Sequence, residues 1–412
     1  MKLLISAAEA SSDLHGAYLL RALKEEWRKH SEASTLDVFG VGGTHLQAEG
    51  LRTIVDAREL LAMGFLEVFL RLPQIIRSLN QLTQAAKVEK PDLAIVLDYP
   101  GFHFRLAKRL KKLGVPTLYY IPPKVWVWRK SRLSFLREYF KKILLILPFE
   151  KDFYEQEGVP ATYVGNPIFD EIPLHLTRIE ARKQLKISQD EKALVLMPGS
   201  RPSELKYHLK VMLDAALQVS QKMTPMRLNV LIPLPMTADV ESIRAQVEAW
   251  QSKSLQGISS VISIHISQGN SHICLIAADA GIIKSGTSTL EAGLLRCPHT
   301  VIYDLSRVSR WIFKYLIRYK GPVALVNLLY GWGSKEPYLI REILGDEISA
   351  EELARETYSL LFDAERRGGL DQKFQELIQK TQGESEDHQS MSPSRRAAQE
   401  VIQCYLTLGK YQ

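Results

Sequence analysis

Seven consecutive residues, Ser285-Gly286-Thr287-Ser288-Thr289-Leu290-Glu291, follow an apolar stretch that ends in Ile283 and Lys284. A strand delivers the chain into a glycine turn, and hydroxyl residues then open a helix. Such a helix start offers backbone N–H groups without intrahelical partners and a partial positive charge, both suited to a phosphate. Ser285, Thr287 and Ser288 add hydroxyl donors, and Glu291, one turn in, can accept bonds from ribose hydroxyls. The same residues also fit plain capping, because Ser or Thr with Glu three residues on is a capping box. A second strand–glycine–helix transition is Pro198-Gly199-Ser200-Arg201-Pro202-Ser203-Glu204. Here the forked guanidinium of Arg201 can clamp a diphosphate or a uracil edge, or simply pair with Glu204 on the surface. Neither segment has the Gly-Lys-Ser/Thr of an NTPase phosphate loop.

Asp98 closes the apolar run Leu93-Ala94-Ile95-Val96-Leu97. A carboxylate at the C-terminal end of a buried parallel strand faces the ligand crevice, which makes it a candidate general base. A turn-forming Asp before Tyr99-Pro100 is the plainer reading. Glu9 and Asp13 supply two more carboxylates in the first loop, where Asp13 is also a natural cap for the first helix.

The elements that must position these residues alternate. Apolar strand candidates at 2–6, 36–40, 93–97, 117–121, 143–147 and 162–164 are separated by helical periodicity, with the first helix over 13–27. The pattern restarts at 193–197, followed by a helix over 202–219 and strands at 228–232, 261–266, 280–283 and 300–303. This is the signature of βαβ units in two consecutive α/β halves, residues 1–170 and 171–394. A polar stretch, 383–394, reads as a loop, and a last helix within 395–412 is placed to cross back onto the first half.

Composition narrows the classes. Of 412 residues, 46% are hydrophobic and 24% charged, as in ordinary globular proteins. Cys274, Cys297 and Cys404 lie far apart, so no disulfide framework or zinc site is expected and a reducing, cytoplasmic setting fits. Ten histidines form no His-x-x-x-His pattern, and no Asp-x-Asp occurs, so neither metal nor cofactor is expected. The net charge of +7 favours anionic partners. Nucleic acid is disfavoured, because the basic residues spread over both halves with no base-reading module. The N-terminal apolar stretch is too short for a signal peptide, and no run approaches the ~20 residues of a membrane span.

Two segments still bear on membranes. Residues 60–72 are unusually apolar, containing Met63, Phe65, Leu66, Phe69 and Leu70, with Arg71 inside and Arg77 beyond. Such a segment dips into a bilayer interface, lines an acyl-chain groove, or is buried between domains. Arg307, Arg310, Lys314 and Arg318 share one helical face beside Trp311 and Phe313, and Trp126 and Trp128 add aromatic character near Arg129.

Taken in order, these motifs resemble the lipid-A-disaccharide synthase family, inverting glycosyltransferases of the GT-B type. The stretches are Glu9-x-Ser11-x-Asp13, Met63-Gly64-x-x-Glu67-Val68, Asp98-x-Pro100-x-Phe102, Val125-Trp126-x-Trp128 and Leu147-Pro148-Phe149-Glu150. Pro198-Gly199-Ser200-Arg201-x-x-Glu204, the Ser285 to Glu291 loop and Asn327-Leu328-Leu329 complete the set. The resemblance implies two Rossmann-like doubly wound domains facing an interdomain cleft. It implies UDP-diacylglucosamine as donor, lipid X as acceptor, a lipid A disaccharide phosphate and UDP as products, and no metal. Asp98 is then the leading base, with Glu9 and Asp13 beside it. Gly199, Ser200, Arg201, Glu204, Ser285, Gly286, Thr287, Ser288, Thr289, Glu291 and Asn327 are then the UDP side. Met63 to Arg71, with Trp126 and Trp128, are the acceptor and membrane side of a peripheral protein on the inner face of the cytoplasmic membrane, against acidic phospholipid. A homodimer through exchange of the last helix is compatible.

The chain departs from the family pattern in places. The loop Ala8-Glu9-Ala10-Ser11-Ser12-Asp13 lacks both glycines, Pro122-Pro123-Lys124 replaces a Ser-Pro-Ser/Gln stretch, and Lys284 stands where a small residue is usual. The N-terminal changes fall on the acceptor side and leave room for a paralogue with another acyl-sugar acceptor. Other readings are a hexosamine transferase or UDP-sugar epimerase on a soluble substrate, or a non-catalytic, membrane-associated nucleotide-sugar binding protein.

Overall fold

The computed structural model describes residues 1–30, 35–60, 72–125, 132–199, 202–236, 238–255, 262–304, 321–331, 338–382 and 391–409. Seven strands make the first sheet: β1 (Lys2–Ala7), β2 (Asp37–Gly42), β3 (Arg52–Asp56), β4 (Leu93–Leu97), β5 (Thr117–Tyr120), β6 (Lys142–Leu145) and β7 (Ala161–Tyr163). Six make the second: β8 (Lys192–Met197), β9 (Leu228–Leu234), β10 (Ile262–Gln268), β11 (Ala280–Lys284), β12 (His299–Tyr303) and β13 (Glu342–Leu344). The orders are β3-β2-β1-β4-β5-β6-β7 and β10-β9-β8-β11-β12-β13, and every pairing is parallel. Both sheets therefore run outward from a central strand in two directions, the doubly wound α/β arrangement expected from the sequence.

Burial explains why these runs became central strands. All five residues of β4 and all seven of β9 are buried, so helices cover both faces, and uninterrupted apolar sequence suits that environment. Two edge strands escaped sequence reading. β3 reads Arg-Thr-Ile-Val-Asp, with a charged residue at each end, and β13 is three residues long and starts with Glu342. The first helix, Ala10–His30, begins three residues earlier than periodicity implied. No glycine interrupts the loop, and Ser12 holds the first turn by accepting from the Glu9 N–H and donating to the Glu9 carbonyl, both at 2.9 Å.

The chain divides into two compact units. One comprises Met1–Glu171 with Thr381–Gln412, the other Ile172–Lys380. The last helix, Pro393–Gly409, belongs to the first unit. Its Ala397, Ala398, Val401 and Ile402 are buried in the same core as Leu3, Ile5, Leu19 and Leu20. Tyr405 meets Trp27 edge-on at 5.6 Å, and Arg395 Nε donates to Glu26 Oε1 at 2.6 Å. In the second unit, Arg182 from helix Arg178–Leu185 is buried against Asp279, with Nη2 2.7 Å from Oδ2. Among the described residues, no helix is long and apolar enough to cross a membrane.

Candidate active site

In a doubly wound sheet the chain leaves in opposite directions on either side of the central strand, and the crevice beyond the strands' C-terminal ends receives ligands. The first unit has this switch point between β1 and β4, which pair up to Ala7 and Leu97. Glu9 follows one strand and Asp98 the other. Asp98 and Tyr99 both lie in the left-handed region, with φ of 51° and 46°, a costly conformation for two consecutive non-glycine residues. Three groups hold it. The Asp98 carbonyl accepts from His103 Nδ1 at 2.5 Å and from the Tyr119 hydroxyl at 2.9 Å, and the Tyr99 hydroxyl donates to the Leu60 carbonyl at 3.1 Å. Helix Pro100–Lys112 then starts directly behind Tyr99.

This geometry presents the half-buried Asp98 carboxylate at the strand end. Burial pushes its pKa above the ordinary carboxylate value, while the Tyr99 N–H and the charges of His15 and Lys124 oppose that shift. A raised pKa makes the ionised form a stronger base. Glu9 is close enough to Tyr99 for its charge to raise the phenol pKa further, after burial. Asp13 takes a different role. It is buried, and its two oxygens accept from the N–H groups of Gly43 (2.6 Å), His45 (3.0 Å) and Leu46 (3.2 Å). It thus caps helix Thr44–Ala48 rather than its own helix, and it serves the scaffold instead of standing ready for acid–base chemistry. Glycine is needed opposite it, since a Cβ on Gly43 would sit 2.8 Å from Asp13 Oδ2.

His103 ties the strained turn to the core. It is fully buried, and because a carbonyl only accepts, Nδ1 carries the proton and Nε2 accepts from Ser6 Oγ at 2.8 Å. Burial lowers its pKa to about 4. The folded state therefore favours the neutral ring. Its contribution is fully present above the unfolded value near 6.5 and is lost as pH falls toward 4, by roughly 3 kcal/mol over that window. Denaturant titrations at pH 7 and pH 4.5 should show this loss. A His103→Asn variant should be less stable at pH 7 and show a flatter pH dependence.

The second unit has its switch point between β8 and β11, which pair up to Met197 and Ile283. A cavity of about 350 Å³ opens there, lined by Gly199, Glu204, Ser285, Gly286, Thr287, Ser288 and Glu291, with Lys284 and Pro233-Leu234-Pro235 completing the wall. The helix over Thr287–Leu294 starts at Gly286 with no side-chain cap. Ser288 and Glu291 do not form the capping box that their spacing allows. Glu291 Oε2 instead lies 3.3 Å from His272 Nε2. Thr177 and Glu180 show what a true box looks like in this chain, with both reciprocal bonds made. Gly199 is at φ +119° with Glu204 packed against it, so a Cβ there would overlap the Glu204 side chain.

Not every expected residue reaches the cavity. Thr289 is fully buried and its hydroxyl donates to the Gly286 carbonyl at 2.8 Å. Ser285 lines the wall, but its hydroxyl proton goes to the Val323 carbonyl at 3.0 Å. Asn327 is also fully buried. Its Oδ1 accepts from the N–H groups of Leu339 and Ile340, and its Nδ2 donates to the Ile340 carbonyl and Glu342 Oε1, all at 2.9 Å. These three build the cavity's frame. Glu204 pairs with Lys284 at 2.8 Å. Ser200 and Arg201, Met63, Phe65, Leu66, Phe69, Leu70 and Arg71, Trp126 and Trp128, and the 307–318 face lie outside the described residues. Among the described residues, no group of His, Cys, Asp and Glu could hold a metal ion.

The family model described as lipid-A-disaccharide synthetase matches residues 3–395. The chain belongs to this family. A lipid-A-disaccharide synthase of Myxococcus xanthus is 37% identical over 355 residues, covering 86% of this chain and 86% of the relative. One of Pseudomonas savastanoi pv. phaseolicola is 37% identical over 360 residues, covering 87% and 88%. A UDP-GlcNAc 2-epimerase of Neisseria meningitidis, solved with UDP-GlcNAc bound, superposes with a TM-score of 0.60 over 99% of this chain and 100% of that one. At 13% identity, that likeness shows a shared fold alone. Membership in the lipid-A-disaccharide synthetase family makes the chain a glycosyltransferase of lipid A disaccharide synthesis.

Residues that sequence reading passed over support both sites. His103 was hidden because its partners, Asp98 and Ser6, are five and 97 positions away. His208 is another. Its Nδ1 donates to the Pro198 carbonyl at 3.0 Å and its Nε2 accepts from the Asp304 N–H at 3.1 Å, linking the ends of β8 and β12. Burial lowers its pKa, in keeping with a neutral ring that can accept. No local motif marks either histidine.

Proposed function

We propose that the chain transfers diacylglucosamine from UDP-diacylglucosamine to lipid X, giving the lipid A disaccharide phosphate and UDP. What carries the reading is that the family match runs through both switch points, with Asp98 at one and the Ser285 to Glu291 loop at the other. In the reaction, Asp98 accepts the proton of the acceptor hydroxyl as that oxygen attacks the anomeric carbon from the face opposite UDP. The bond to the diphosphate oxygen breaks, and a single displacement inverts the anomeric centre. Developing charge on the diphosphate meets the helix start at Gly286 and Thr287, whose N–H groups and dipole are fixed before the donor arrives. Glu9 faces the same end of the first sheet and is assigned to the acceptor.

The donor half has a binding test. If Glu291 accepts the ribose hydroxyls, UDP should bind roughly tenfold more tightly than 2′-deoxy-UDP, an effect of one hydrogen bond to a charged group. The Glu291→Gln variant should lose most of that preference. Equal affinity for the two nucleotides in the unaltered protein would remove Glu291 from the ribose site.

Both substrates carry acyl chains, so we place the enzyme on the inner face of the cytoplasmic membrane, held by the 60–72 segment and the 307–318 basic face. The +7 charge supports an acidic lipid surface. Replacing Phe65, Phe69 and Leu70 together with Ser should reduce binding to anionic vesicles several-fold with an unchanged melting temperature. A collapse in melting temperature would instead mean that these side chains are buried.

A further inference from the structure

We propose that Lys284 is a ligand of the donor diphosphate, held beside the cavity by Glu204 and handed over when the nucleotide binds. This rests on the reading of the second-unit cavity as the donor site.

Lys284 is the last residue of β11, directly before the Ser285-Gly286-Thr287 turn. Strand alternation buries Ile283 in the sheet and turns Lys284 into the cavity. Its Nζ lies 2.8 Å from Glu204 Oε1 and 5.3 Å from the centre of the Tyr303 ring. Both members of the pair are mostly covered, with side chains 17% and 15% exposed. The described lining of the cavity contains two carboxylates, Glu204 and Glu291, and one cation, Lys284. A diphosphate entering beside two carboxylates needs a compensating cation close to the helix start, and Lys284 is the group placed there.

The two partners are unequally anchored. Glu204 sits in the first turn of helix Pro202–Lys222, where the helix dipole favours a carboxylate, and its side chain packs against Gly199. Lys284 has a flexible four-carbon stem and a compact ammonium with three donors. The lysine is thus the mobile member. Paired with Glu204 it is neutralised and rests against Tyr303. A diphosphate offers more negative charge than one carboxylate, and Lys284 turns toward it. Glu204 both presents the lysine and competes for it.

The test is titration of the full-length protein with UDP and with uridine, for the unaltered chain and for Lys284→Met, Lys284→Arg and Glu204→Gln. Loss of a partly buried, charge-assisted contact should weaken UDP binding by roughly 10- to 100-fold in Lys284→Met, leave uridine binding unchanged, and be largely restored by Lys284→Arg. Glu204→Gln keeps the shape against Gly199 and removes the competitor, so UDP should bind several-fold more tightly. Unchanged UDP affinity in Lys284→Met overturns the proposal. So does a parallel loss of UDP and uridine, or a Glu204→Gln variant that weakens UDP as Lys284→Met does, because the pair would then be a structural strut. If the unaltered protein binds no UDP, the donor-site reading fails and takes the proposal with it.

Discussion

Replacing Asp98 by asparagine should slow glycosyl transfer by roughly 10²- to 10⁴-fold, the usual contribution of a general base, while UDP affinity stays within about twofold. Asparagine is the cleaner substitution than alanine. Position 98 lies at φ 51°, and Asn is one of the few non-glycine residues that enter the left-handed region readily. The variant therefore keeps the turn, with the His103 and Tyr119 bonds to the carbonyl intact, and removes only the carboxylate. Single-turnover rates and UDP titrations on the same protein separate the two effects. A parallel loss of UDP binding would mean that Asp98 supports the fold or the donor rather than taking a proton. The pH profile gives a second readout. Burial holds the Asp98 pKa above the ordinary carboxylate value, so the rate should fall on the acid side at a pH above that value. In the Asp98→Asn variant that limb should vanish.

The largest stability effect is expected at Asp279. This carboxylate is buried and accepts from Arg182 Nη2 at 2.7 Å, from Arg178 Nη2, and from the Ala193 N–H at 2.9 Å. It joins helix Arg178–Leu185 to the entry of β8 and the start of β11, the two strands whose far ends carry the second-unit cavity. Asp279→Ala leaves the fully buried Arg182 guanidinium without its counter-charge, although the Ala277, Ser188, Gln189 and Glu191 carbonyls still accept from it. Removing one partner of a buried pair costs roughly 3–5 kcal/mol. For a unit of this size that corresponds to a drop in melting temperature of about 6 to 20 °C. A double variant, Arg182→Met with Asp279→Ala, should recover part of the loss. A change below about 2 °C in the single variant would mean that the pair is poorly coupled to the fold.

How far the sequence could be read depends on the range of the interactions. Central strands such as β4 and β9 are long apolar runs, and a parallel sheet buried on both faces is the environment such runs require. Asp98 was legible for the same reason, since a carboxylate that ends such a strand has few places to go. Interactions that join distant segments left no local trace. Asp13 reads as a cap for its own helix, yet the N–H groups it satisfies belong to residues 43, 45 and 46. Ser288 and Glu291 have capping-box spacing, but the helix starts at Gly286 and frees Glu291 for the cavity. Thr289 and Asn327 lie in motifs that the sequence assigns to the UDP side, yet both are buried and brace the cavity wall from behind, a distinction that depends on which side of each turn faces the core. Edge strands β3 and β13 carry charged residues at positions where central strands are apolar, so their pattern resembles loop sequence.

The proposed transfer uses Asp98 as its base and the Ser285 to Glu291 loop as its diphosphate site. Its most direct test is incubation of the full-length protein with UDP-diacylglucosamine and lipid X in detergent, following UDP release and the lipid product by mass spectrometry. The expected result is one UDP released per tetraacyl disaccharide phosphate formed, with both signals lost in Asp98→Asn. Well-folded protein that binds UDP yet forms no disaccharide from this pair would contradict it.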